Sequence, residues 1–207
     1  MGSRNINKQK SFMKVGITGI FGSGKTTVSS IFKDADIPVV SCDDIVQRLL
    51  KKREIITKIT DIFSKDAVRE GSIDKKYLSD MVFSDKKARI KLEQILHPEV
   101  FKTIQKKSLD YEKIYGIMVI EIPLLFETKS ERLVDKVVVV KASRRAILER
   151  LKERYTEKEI LQRWKSQIPL KDKEKKADYV IDNSGTYSET FRQVQNLIED
   201  LETIVKQ

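Results

Sequence analysis

Residues Gly19 to Thr26, read G-I-F-G-S-G-K-T, combine glycines, a lysine and a hydroxyl at the spacing G-x-x-x-x-G-K-[ST]. That spacing suits the phosphates of a nucleoside triphosphate. Gly19, Gly22 and Gly24 let the backbone turn tightly and bring N–H groups against phosphate oxygens. A helix that starts straight afterwards points the positive end of its dipole at the same anion. Lys25 adds a full positive charge near the β- and γ-phosphates, and the Thr26 hydroxyl suits a magnesium ion. The competing reading is a glycine-rich turn with a surface lysine. The flanks argue against it: an apolar run, Val15 and Ile17, precedes the glycines, and Val28, Ile31 and Phe32 follow at helical spacing.

Three further groups could do chemistry beside that loop. Asp43 follows an apolar run, Pro38 to Ser41. A carboxylate there can deprotonate an attacking hydroxyl in phosphoryl transfer, or hold magnesium through water. It can equally cap the helix that follows, a role for which Asp44 competes. Cys42 beside it reads as a small buried residue rather than a nucleophile. Arg150 and Arg154 are four apart on a helix expected over Arg144 to Tyr155, so they share a face, and Arg163 lies on the next helix, Glu157 to Gln167. Such a hairpin could close over a triphosphate as a lid. On charge pattern alone the balance tips towards a solvated face paired with Glu149, Glu153 and Glu157. His97, the only histidine, precedes Pro98, which should bend or restart a helix; without cysteine neighbours it reads as packing, not as a metal ligand. Trp164 reads as core or lid packing.

The elements that must position these groups alternate between strand and helix. Pro38 to Ser41, Gly116 to Ile122, Lys136 to Val140 and Ala177 to Asn183 are short apolar runs of the kind that forms parallel strands covered on both faces. Glu189 to Val205 has the spacing of a closing amphipathic helix. From about residue 53 to 115 the pattern becomes helical throughout, with no strand expected and with Asp74 as a plausible helix cap. The pattern predicts an α/β protein: a parallel sheet covered by helices on both faces, with a helical insertion and a helical lid. The core comprises residues 13–52, 116–149 and 177–207; the insertion spans 53–115 and the lid 150–176. Residues 1–12 read as an extension ahead of a natural start at Met13, expected to be disordered.

Composition limits the partners. Of 207 residues 40% are hydrophobic and 35% charged, which fits a globular chain and leaves no stretch able to span a bilayer. No signal peptide is visible, and a single cysteine allows no intrachain disulfide, so the cytoplasm is the expected compartment. The net charge of +10, three of it in Arg4, Lys8 and Lys10, is compatible with small polyanions or with nucleic acid. The bases are interspersed with acids along helices and lack aromatic interleaving, which favours the small anions.

A series of motifs in order resembles the dephospho-coenzyme A kinase family: G-I-F-G-S-G-K-T-T, V-V-S-C-D-D-I, G-S-I-D-K-K-Y-L-S-D-M-V-F, L-H-P-E-V, E-I-P-L-L-F-E, R-L-K-E-R with R-W-K-S-Q, and A-D-Y-V-I-D-N-S-G. Together they span Val15 to Gly185. The resemblance implies a P-loop kinase-like fold and ATP-dependent phosphorylation of the ribose 3′-hydroxyl of dephospho-CoA, giving CoA and ADP. It implies that Gly19 to Thr27, including Gly22, Ser23, Gly24 and Lys25, hold the ATP phosphates together with Asn183, and that Thr26 holds Mg2+. It implies Asp43 as the base, Arg154 with Arg150 and Arg163 neutralising the transferred group, and the insertion as the acceptor domain. A monomer suffices for this chemistry, with no nucleic acid or membrane involved. Ser41, Gln47 and Lys75 depart from the family pattern of aspartate, histidine or arginine, and arginine at those positions. Two alternatives remain at this level: another P-loop kinase of small metabolites or nucleosides, and a nucleic-acid-associated NTPase suggested by the basic charge.

Overall fold

The computed structural model describes residues 11–69 and 71–207. Most of the leader expected to be disordered, residues 1–10, lies outside the described residues. Ser11 is tied down, its hydroxyl donating to the Val205 carbonyl at 2.7 Å. The chain divides into two compact units. One runs up to Val40 and resumes from Ser108 to Gln207; the other is Ser41–Lys107.

The first unit is built on a five-stranded parallel sheet flanked by helices. Its strands are β1 (Met13–Gly19), β2 (Val39–Ser41), β5 (Ile117–Glu121), β6 (Lys136–Lys141) and β7 (Tyr179–Asp182), in the order β2-β5-β1-β6-β7. The register places Val15 beside Val119, Ile17 beside Val138 and Val140 beside Ile181. These β-branched side chains fit a pleated surface that is covered on both faces, and Val15, Ile17, Val119, Val138 and Val140 have no exposed area. Helix α1 (Lys25–Asp34) buries Val28, Ile31 and Phe32 in the same cluster as Val194, Leu197 and Leu201 of the closing helix α9 (Tyr187–Lys206). Each fully buried side chain of this size contributes about 1.5–3 kcal/mol. Helix α9 starts at a reciprocal cap: the Thr186 hydroxyl accepts from the Glu189 amide, and Glu189 accepts from the Thr186 amide. Between β6 and β7 lie α6 (Arg144–Leu151), α7 (Glu157–Lys165) and α8 (Leu170–Glu174).

The second unit is mainly helical: α2 (Cys42–Leu49), α3 (Arg53–Phe63), α4 (Lys75–Ser84) and most of α5 (Lys86–Glu112). Asp74 caps α4 as expected, accepting from the Lys76 and Tyr77 amides at 3.0 Å each. The unit differs from the sequence reading in two ways. A strand pair does interrupt it: β3 (Val68–Arg69) and β4 (Ser72–Ile73) pair antiparallel. Two residues per strand are too few to show an alternating pattern, and Gly71 at φ +75° turns the chain. Pro98, expected to bend or restart a helix, does not restart one; it lies inside the 27-residue α5. His97 is half-buried and stacks on Phe101, ring centroids 5.8 Å apart.

A third difference is in the first unit. The helix expected over Arg144 to Tyr155 ends at Leu151. Thr156 and Glu159 form a second reciprocal cap that starts α7, and this draws the chain out of the helix before Tyr155. Arg154 therefore stands in the connecting turn, not one helical turn above Arg150. Among the described residues no helix is long and apolar enough to cross a membrane.

Candidate active site

The phosphate loop joins β1 to α1. Gly19, Gly22 and Gly24 all take positive φ, at +154°, +81° and +88°. Gly24 is the left-handed cap of α1, and a Cβ there would lie 2.0 Å from the Asn183 amide nitrogen. A Cβ at Gly22 would lie 2.5 Å from Ile147 of α6. Glycine is required at both positions by conformation and by space. Among the described residues, the Gly22, Gly24 and Thr26 amides form no bond within the chain. They are donors of the kind that a helix N-terminus offers to an anion. Lys25 folds back, its Nζ 3.2 Å from the Ile20 carbonyl and 3.5 Å from that of Gly19. The positive charge therefore starts from the loop itself.

The loop is held from behind. Asn183, just past β7 and 4% exposed, donates to the Ser23 carbonyl at 2.9 Å and accepts from the Thr190 hydroxyl at 2.9 Å. Arg150 donates to the Asn183 carbonyl at 2.7 Å. Gln193 brackets the preceding residue, accepting from the Asp182 amide and donating to its carbonyl, both at 2.9 Å. Partial burial pushes the Asp182 carboxyl up, but the Ser184 hydrogen bonds and Lys141 outweigh it. The group stays below the ordinary aspartate range.

Glu121 was given no role in the sequence. It is the last residue of β5 and 9% exposed; its two oxygens meet the Thr26 hydroxyl at 3.3 Å and the Ser29 hydroxyl at 2.9 Å. The signal was present as one acid closing the apolar run I-M-V-I-E. A buried carboxylate beside the Thr26 hydroxyl is a hard-oxygen set that suits magnesium, an ion that takes one or two carboxylates plus substrate phosphates. Among the described residues no cluster of three His, Cys, Asp or Glu side chains could hold a metal ion.

The other candidates are distributed as follows. Asp43 is exposed in the first turn of α2, in the helical unit. The cap of that helix is neither Asp43 nor Asp44 but Ser41, whose hydroxyl accepts from the Asp44 amide at 3.2 Å. Cys42 is half-buried rather than buried. Arg163 lies over the rings of Phe21 and Tyr155, at 4.8 and 5.1 Å. Two of the three acids named as salt-bridge partners pair with other residues: Glu157 with Arg144 at 2.6 Å, and Glu149 with Lys152. Arg154 is exposed and, among the described residues, makes no ion pair. The structure thus gathers Gly19 to Thr27, Asn183 and Arg150 around one loop, with Arg163 stacked on that loop's Phe21; it does not bring Arg154 there.

The family model described as dephospho-CoA kinase matches residues 13–189. A dephospho-CoA kinase of Bacillus cereus is 37% identical over 191 residues, covering 90% of this chain and 96% of that protein. The crystal structure of TT1252 from Thermus thermophilus superposes with a TM-score of 0.84 at 29% identity, covering 92% of this chain and 98% of that one. A dephospho-CoA kinase from Campylobacter jejuni has a TM-score of 0.62 at 27% identity, covering 91% and 96%.

Proposed function

The chain belongs to the dephospho-CoA kinase family, and we propose how its residues share the transfer of the ATP γ-phosphoryl group to the ribose 3′-hydroxyl of dephospho-CoA. Residues Gly19 to Thr27 wrap the donor phosphates. Lys25 moves from its carbonyl partners to the β- and γ-oxygens. Asn183 serves ATP binding indirectly, by fixing the Ser23 carbonyl. The acceptor hydroxyl gives its proton to the Asp43 carboxylate as its oxygen bonds to the γ-phosphorus. The bond from that phosphorus to the β–γ bridging oxygen breaks, and ADP leaves. Positioned acid–base groups contribute roughly 10²–10⁴ in rate. Arg150 and Arg163, which stand at the loop, neutralise charge on the group in transit, and Arg154 joins them only when its turn moves in with the closing segment.

Thr26 and Glu121 would hold a magnesium ion. When bound, such an ion neutralises charge across the β- and γ-oxygens. In the same reading residues 53–115 take the acceptor and residues 150–176 close over the nucleotide. A single cytoplasmic copy is sufficient.

The observation that carries this reading is the loop of positive-φ glycines at the β1–α1 junction, whose Gly22, Gly24 and Thr26 amides make no bond within the chain among the described residues. The test is an acceptor panel with Mg-ATP. ADP release should depend on dephospho-CoA and should not occur with nucleoside monophosphates or gluconate. Hydrolysis stimulated by RNA or DNA instead, falling steeply with salt, would overturn the reading.

A further inference from the structure

Phe21 occupies the tip of the phosphate loop, and both hydrogen-bonding groups of its backbone are taken by side chains far along the chain. Its N–H donates to Gln167 Oε1 at 2.8 Å, across 146 residues. Its carbonyl accepts from Trp164 Nε1 at 2.9 Å, across 143 residues. The Phe21 ring meets Tyr155 edge-on, centroids 5.2 Å apart, and carries Arg163 on a face. Ile20 and Phe21 join Ile147, Ile160 and Trp164 in one small apolar cluster.

Gln167 is itself fixed. The next amide, Ile168, donates to Glu127 Oε1 at 2.9 Å. That oxygen lies 2.7 Å from Nζ of Lys173, which is fully buried. The ion pair is close but outside hydrogen-bond alignment. The end of α7 therefore reaches the loop from an anchored position.

A loop with three positive-φ glycines has little stiffness of its own, because glycine leaves its torsions free. Its geometry has to be imposed from outside. Asn183 does this at Ser23, and the α7 end does it at Phe21. Gln167 holds the peptide unit that enters Phe21 and Trp164 the unit that leaves it; the Gly22 N–H lies in that second plane, so its direction is fixed by the Trp164 bond.

We propose that Gln167 and Trp164 are positioning residues of the donor site. They lock the two peptide units on either side of Phe21 and so present the loop amides to the ATP phosphates. The proposal rests on the reading of Gly19 to Thr26 as the ATP site. It assigns to the α7 end a function in donor affinity that is separate from acceptor binding.

The test uses the full-length enzyme and two variants that keep most of the side-chain volume: Gln167→Met, which removes the acceptor oxygen, and Trp164→Phe, which removes the indole donor. ADP affinity is read by calorimetry and both KM values by steady-state assay, alongside thermal melting. Each variant should bind ADP about tenfold more weakly, as expected for loss of one hydrogen bond at a site that needs it. KM for ATP should rise with it, while KM for dephospho-CoA stays within twofold. ADP affinity unchanged in both variants overturns the proposal. So does a parallel rise of both KM values with a lowered melting temperature, since that is general loosening. Lys25→Ala is the control for the underlying reading. If Lys25→Ala loses nucleotide affinity and the other two do not, only the positioning role fails. If Lys25→Ala binds ADP and ATP as tightly as the parent, the ATP site itself is misplaced.

Discussion

The two units of this chain solve their interiors differently. In the sheet-bearing unit polar side chains are buried and hydrogen-bonded: Thr18, Ser29, Glu121 and Asn183 are all at most 9% exposed. In the helical unit, Ser41–Lys107, every buried residue among those described is apolar, Ile45, Ile55, Ile59, Phe63, Leu96 and Ile104 among them. A buried polar group is costly unless it is bonded, and bonded ones tie the chain to one arrangement. Apolar burial is non-directional and tolerates many. The first unit uses directional bonds where a flexible glycine loop must hold one shape. The second needs only to keep amphipathic helices together while presenting exposed groups such as Asp43.

The widest consequence concerns Asp43. If the helical unit supplies the base, Asp43→Asn should lower turnover by roughly 10²–10⁴. ADP affinity should stay at the parent value, and the start of α2 should be kept, because Ser41 and not Asp43 caps that helix. Steady-state turnover and calorimetric ADP affinity, measured on one preparation, check this. Full turnover in the variant would leave the helical unit without an assigned chemical group.

A pair of glycines compares the interiors directly. Gly24 and Gly71 have similar φ, +88° and +75°. An alanine at either costs about 1–2 kcal/mol in left-handed strain. A Cβ on Gly71 meets nothing within 4 Å, whereas one on Gly24 would lie 2.0 Å from the Asn183 amide. Gly24→Ala therefore also breaks the Asn183–Ser23 bond, at a further cost of about 1–3 kcal/mol. Denaturant unfolding should show the larger loss in Gly24→Ala, accompanied by loss of ADP binding. Gly71→Ala should lose stability alone. Equal losses would mean that the buried polar contacts behind the loop add nothing.

The same contrast explains what could be read from the sequence. β1, the glycine loop and α1 were legible because their determinants are local: an apolar run, three glycines at fixed spacing, then Val28, Ile31 and Phe32 on one face. The parallel strands were legible from β-branched runs, and the family from motifs spread over the chain. What escaped depends on distant partners. Nothing near Phe21 predicts that Gln167 and Trp164 take its backbone. The early end of α6 follows from the Thr156–Glu159 cap, which competes with a helix pattern that runs on to Tyr155. β3 and β4 are too short to have a period. For Asp43 the sequence left base and cap open. Ser41, a departure from the family pattern, turns out to hold the cap.

The smallest expected effect concerns acid caps, one in each unit. Asp74 at the start of α4 is held below the ordinary aspartate range, chiefly by the Tyr77 amide, with Arg69 at 2.7 Å adding to it. Glu189 at the start of α9 is held below the ordinary glutamate range, chiefly by the Thr186 amide. A carboxylate whose folded pKa is depressed contributes stability above its unfolded pKa. It loses that contribution as pH falls through the folded value. Both caps should therefore weaken only in the acid range, below the ordinary carboxylate values. Asn at a cap and Gln in a reciprocal cap keep the hydrogen bonds but cannot titrate. Asp74→Asn and Glu189→Gln should be somewhat less stable than the parent at pH 7, where the ionised carboxylate contributes, and should converge with it towards pH 3, so that their decline in denaturant unfolding is flatter. If the units unfold together, each variant flattens the same transition. If the apolar interior of Ser41–Lys107 gives way first, Asp74→Asn alters an early phase that Glu189→Gln leaves untouched. An unchanged acid slope in both variants would show that neither carboxylate is linked to folding.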